Sequence, residues 1–207
     1  MPAARTNHDA MSSSEGSFSK ARVEAFSDGV MAVIITIMVL DLKPPQNGEP
    51  SALLRLWPSF SIYLVSFFLT TIYWINHHSL VAQAHRVTPG LLWANGAVLF
   101  SASLIPFATA YVAQTHLAPF PTAVYAALQC LCGVAFGMLF RTIVEQRDDE
   151  AFRQRVKIRR RQNLLAIVIY GLSAVVALVC PPIAILLFTA VSLAYVAPRF
   201  LGAKEDA

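Results

Sequence analysis

The side chains able to do chemistry are few and stand in an otherwise apolar sequence: Arg22, Glu24, Asp28, Thr36, His77, His78 and Asn95. Asp28 heads an uncharged run from Gly29 to Leu40. A carboxylate at the centre of a bilayer costs about 2.5–3.5 kcal/mol, and less near the interface, so it has a partner or a task. The tasks open to it are attracting a cation, passing a proton, or accepting hydrogen bonds that anchor a helix. His77 and His78 could change charge near neutral pH, so Asp28 with His77 could couple protons, and a hydrogen-bonded histidine at a membrane boundary is the structural alternative. Arg22 and Asp28 are six residues apart and do not share a helical face. Glu24 and Asp28 sit four apart near a helix start, where the macrodipole favours both. Asp41 sits at the far end, where the dipole disfavours it, so a cation-attracting ring at an outer mouth is one explanation.

No paired carboxylates, metal-ligand cluster or nucleophile–base set is visible, which argues against an enzyme and against a bound cofactor or metal. Cys130, Cys132 and Cys180 are odd in number and lie in apolar runs without a CxxC, so they read as small packing residues.

The elements that must position these groups are membrane-length helices. The chain has 207 residues, 56% hydrophobic and 14% charged, against about 25% charged in soluble domains. Six apolar segments stand out, at about 23–42, 57–81, 91–113, 120–143, 164–180 and 182–197. Most approach the roughly 20 residues that cross the hydrocarbon. The last two are short and share the Pro181-Pro182 turn, so a re-entrant hairpin is the rival reading there. The fold expected is an all-α membrane protein with six transmembrane helices per subunit. Residues 1–21 read as a disordered tail without a cleavable signal, 22–200 as the membrane domain, and 201–207 as a second tail.

Of the sixteen Lys and Arg residues, only Lys43 and Arg55 fall on one side of the six crossings. The fourteen on the other side make it cytoplasmic and place both termini there. The basic run over 152–163 tempts a nucleic-acid reading. Its place between two membrane helices, with Phe152 as its one aromatic, favours a topology-fixing segment that touches anionic headgroups. Pro106 removes a hydrogen bond to the Ala102 carbonyl and should kink the third helix. Gly133 and Gly137 form a small-xxx-small pair that permits close helix approach.

On the first helix, Val33, Ile37 and Leu40 share one stripe with Thr36 at its edge, and Asp28 lies about 140° from Val33. Periodicity cannot say what that stripe faces, because residues 30–40 are apolar all round apart from Thr36. A helix buried in a bundle without any pore fits equally.

The sequence Arg22-x-x-x-Phe26-Ser27-Asp28, followed by Gly-Val-x-Ala and an apolar stretch, resembles the first-helix motif of the transmembrane protein 175 family. These are endolysosomal-type potassium channels and their prokaryotic relatives. Trp74-Ile-Asn-His77-His78-Ser-Leu80 and Asn95, with Pro106-Phe107 beyond it, are similar to that family too. The resemblance implies a homotetramer in a prokaryotic inner membrane, with the first helices lining a pore for K+, and with Na+ and H+ as further permeant ions. It implies gate rings at Val33, Ile37 and Leu40, a hydroxyl ring at Thr36, and a polar lock of Arg22, Phe26, Ser27, Asp28, His77 and Asn95. Val33 is shorter than the isoleucine or leucine commoner in that ring, which implies a wider neck. No TVGYG-type filter is present, so selectivity would come from dehydration in a narrow apolar passage. A proton-coupled secondary transporter and a non-conducting scaffold are the alternatives.

Overall fold

The computed structural model describes residues 19–146 and 150–201, with side chains placed for 19–146 and 157–193. Apart from residues 19–21 and 201, both expected tails lie outside the described residues. Among the described residues the chain is helical, with no strand. α1 (Lys20–Ile37) tightens into a 3-10 turn (Met38–Asp41). A short α2 (Pro50–Leu54) lies in the first long loop and leads into α3 (Trp57–Val81). Then come α4 (Pro89–Ser103), α5 (Ile105–Gln114), α6 (Pro119–Val144), α7 (Glu150–Ala177) and α8 (Pro181–Leu201).

Local sequence explains most of the boundaries. Ser19 caps α1 by accepting from the Arg22 amide at 3.4 Å, and Thr88 caps α4 by accepting from the Leu91 amide at 3.2 Å. Each side chain satisfies one of the amides orphaned at a helix start. Proline occupies the first turn of α2 through α6, where its missing N–H costs nothing. The third segment is broken into α4 and α5 at Leu104, two residues before Pro106, as the lost bond to Ala102 requires.

α7 begins at Glu150, well before the apolar run at 164, so the basic run over 152–163 is part of the helix. Its Arg, Lys and Gln residues are good helix formers.

Among the described residues, four helical spans are long and apolar enough to cross a membrane: Lys20–Asp41, Trp57–Val81, Pro89–Gln114 and Pro119–Val144. In α8 the apolar stretch among residues with placed side chains is the shorter Pro181–Leu193.

Side-chain bonds show how the rods run. The Lys20 ammonium donates to the Ala82 carbonyl at the far end of α3, so α1 and α3 are antiparallel. Ser27 meets Asn95 near the start of α4, and Met38 meets Thr109 in α5, so the broken α4–α5 rod runs parallel to α1. Ser66 meets Tyr125, with oxygens 2.9 Å apart, and Tyr73 donates to Gln129 at 2.8 Å, so α6 runs with α3. α7 then turns back along α6, and α8 along α7.

The α6–α7 seam explains the glycine pair. Asn163 of α7 donates to the Gly133 carbonyl at 3.2 Å. A Cβ at Gly137 would lie 2.9 Å from the Asn163 amide nitrogen, and one at Gly133 would lie 2.9 Å from Ile167. Met31, Met38, Leu91, Ile105, Leu139, Ile143 and Phe188 fill the core. Cys132 is buried and Cys130 and Cys180 are half-buried, all as free thiols.

Candidate functional site: the outer face of the first helix

Sequence leaves the facing of α1 open, and packing resolves it. Val23, Ser27, Met31, Ile34 and Met38 are buried against α3, α4 and α5. They recur every three or four residues and form one stripe. Opposite them, Val33, Ile37 and Leu40 are 54%, 43% and 75% exposed. The 3-10 turn matters to this second stripe. Side chains three apart eclipse one another in such a turn, so Leu40 moves toward a position directly over Ile37 instead of trailing it as in an α-helix. The exposed line is straighter than an all-α reading gives.

Thr36 is exposed beside the line, and its hydroxyl lies 3.0 Å from the carbonyls of both Ala32 and Val33. Its proton is therefore engaged by its own helix, and what it offers outward is oxygen lone pairs, the part of a hydroxyl a cation uses. Asp41 is exposed at the end of the 3-10 turn.

The motif residues separate into two clusters. In the buried one, Asn95 Nδ2 donates to Ser27 Oγ at 3.0 Å, while Ser27 donates to the Val23 carbonyl at 2.8 Å. His77 Nε2 lies 2.6 Å from Asn95 Oδ1. A carbonyl oxygen only accepts, so Nε2 carries the proton. This triad pins α1, α3 and α4 together at one level. In the second cluster, half-exposed Asp28 accepts from Trp74 Nε1 at 2.9 Å and faces His78 Nδ1 at 3.4 Å.

Of the six residues of the expected lock, Ser27, His77 and Asn95 bond to one another, and Asp28 bonds to Trp74 and faces His78. Arg22 and Phe26 lie on the outside of the subunit, Phe26 65% exposed. Trp74 and His78, neither of them in the expected lock, are partners of Asp28. The available signal was their i, i+4 spacing, which sets both on one face of α3 and turns His77 toward a different neighbour.

Asp28, Ala32, Ile35, Thr36 and Trp74 line a surface groove of about 420 Å³. Thr36 joins the two features: it lines the groove with Asp28 and stands at the edge of the Val33–Ile37–Leu40 line. No group of three or more His, Cys, Asp or Glu suited to a metal occurs among the described residues.

A family model described as "Endosomal/lysosomal potassium channel TMEM175" matches residues 22–106, the part holding both clusters and the outward stripe. A potassium channel of Chryseobacterium sp. (strain P1-3) is 35% identical over 179 residues, covering 86% of this chain and 93% of that protein. The chain belongs to the TMEM175 family. The structure also superposes on the crystal structure of a lysosomal potassium-selective channel TMEM175 homolog from Chamaesiphon minutus. That match has a TM-score of 0.77 and 28% identity, covering 87% of this chain and 97% of the other. The human endosomal/lysosomal proton channel TMEM175 is 25% identical, matched over 99% of this chain and 44% of its own length. TMEM175 proteins are ion channels, not a class of enzymes, and this member is an integral membrane protein.

Proposed function

We propose that this TMEM175 protein is a potassium-permeable, weakly selective cation channel of a prokaryotic inner membrane, formed by four copies around one axis. Each copy crosses the membrane six times with both termini cytoplasmic. The alternating direction of the six rods and the bias of basic residues support that topology. Potassium as the permeant ion follows from the bacterial relatives, which are named potassium channels.

The observation that carries the reading is the outward turn of Val33, Ile37 and Leu40 on a helix whose opposite face is fully packed. Four such stripes meeting at an axis enclose a narrow apolar neck, which gates by expelling water. Thr36 oxygens stand at the edge of that neck, and Asp41 forms an acidic ring at the outer mouth. The Ser27–His77–Asn95 triad and the Asp28–Trp74–His78 cluster hold α1 at its angle.

Purified protein in planar bilayers under a potassium gradient tests this. Single-channel steps are expected, with larger conductance for Ile37→Asn or Leu40→Asn than for Ile35→Asn. A larger effect at Ile35, or saturable flux without steps, refutes the gate or favours coupled transport. The acid–histidine pair of Asp28 and His78, 3.4 Å apart with Asp28 lining the groove, favours proton permeation as a second activity. A reversal potential that moves with pH at constant potassium measures it.

A further inference from the structure

We propose that the amino-terminal half of α7 carries a binding site for anionic phospholipid headgroups, made by Lys157 and Arg161. The inference rests on α7 crossing the membrane and is independent of what the pore conducts.

Two faces of α7 can be read from its packing. Ala166, Tyr170, Ser173 and Ala177 are buried against the bundle. Leu164, Val168, Leu172 and Val175 are exposed, and at 100° per residue they lie within about 40° of one line through Val168. α1 packs on α3, α4 and α5, whereas α7 packs on α6 and α8. The apolar line of α7 is thus on the subunit's periphery, away from the pore helix, where lipid chains cover it.

Extended toward the helix start, that line meets cations. Lys157 and Arg161 fall within about 20° of Val168, on the same line, while Arg160 is about 80° away and Arg159 about 180° away. The burial agrees with this geometry: Lys157, Arg160 and Arg161 are exposed, and Arg159, on the bundle side, is half-buried. One continuous stripe therefore changes from apolar to cationic between Leu164 and Arg161.

The change comes at membrane depth. From the helix end at Ala177, Arg161 is ~24 Å along the axis and Lys157 ~30 Å, against a hydrocarbon thickness of about 30 Å. Lys157 stands at the phosphate level, and Arg161, slightly deeper, extends its guanidinium outward along the lipid-facing line. A planar guanidinium takes a phosphodiester through two parallel N–H bonds, and a nearby ammonium adds a point charge. The neighbouring cation of α6, Arg141, is bonded to Glu145 at 2.8 Å and is not part of the site.

The test counts lipids, not current. Full-length protein is equilibrated with phosphatidylglycerol or phosphatidylcholine in detergent, and retained lipid is measured by native mass spectrometry. Phosphatidylglycerol should be held preferentially, with the preference falling as salt rises. Lys157→Gln and Arg161→Gln should each weaken it about fivefold, and Arg159→Gln should leave it near wild type. Equal retention of the two lipids, a salt-independent preference, or an Arg159→Gln loss as large as that of Arg161→Gln overturns the proposal. Full displacement by free glycerol phosphate also overturns it, since the site would then take an anion without its membrane.

Discussion

Asn95 is used on both ends of its amide, donating to Ser27 and accepting from His77 in a buried setting. Removing it leaves the buried His77 Nε2–H without its acceptor, at about 1–3 kcal/mol, and takes from Ser27 a bond beyond the one it donates to Val23. Asn95→Ala is therefore expected to lower the melting temperature of the detergent-solubilised protein by several degrees, at roughly 2–4 °C per kcal/mol for a chain of this size. Differential scanning fluorimetry reads the shift, and an unchanged melting point would mean the triad does not hold the three helices. Asp28 is a different case. Asp28→Asn keeps an acceptor for Trp74 and loses the charge facing His78. Reduced tetramer yield on size exclusion is expected, with the K+/Na+ permeability ratio kept in surviving channels. Normal yield with altered ion preference would instead put Asp28 on the permeation path. That Asp28 needs hydrogen-bond partners was legible from a carboxylate in an apolar run. Which partners it takes was not, because an indole near a helix end reads equally well as an interfacial anchor.

At the scale of elements, the six apolar runs and the Pro106 break were legible because each follows from local chemistry: hydropathy in one case, a missing N–H in the other. The 3-10 turn at Met38–Asp41 and the early start of α7 were not, since no local residue forbids the longer helix or the longer loop. Glycines separate contacts inside a subunit from contacts between subunits. Gly133→Ala and Gly137→Ala force a Cβ to 2.9 Å from Ile167 and Asn163 respectively. Such overpacking costs about 1–3 kcal/mol, so lower thermal stability is expected in both variants. A Cβ at Gly29, on the exposed face of α1, meets nothing within 4 Å. Gly29→Ala should raise helix stability by about 0.8–1 kcal/mol and leave the subunit's fold intact. If α1 helices approach one another there, the same substitution should reduce the tetramer fraction, measured by native mass in detergent. A loss of folded monomer in Gly29→Ala would place that contact inside the subunit.

At the scale of the whole molecule, the decisive quantity is which way α1 faces, and sequence could not supply it. Residues 30–40 are apolar nearly all round, so hydropathy is blind to rotation about the helix axis, and only the packing of Met31, Ile34 and Met38 breaks the degeneracy. An exposed apolar line on a membrane subunit still has two possible covers, lipid or other copies of itself. The two differ in geometry: copies around an axis bring the same residue of each α1 together, and lipid does not. A cysteine at Leu40, on the most exposed position of the line, should therefore form disulfide-linked dimers within the tetramer under mild oxidation. In bilayers, an added thiol reagent should block its current. A cysteine at Val168 on the outer line of α7, covered by lipid chains, should do neither. The same pairing at both positions, or at Val168 alone, would turn the molecule inside out and remove the pore from α1.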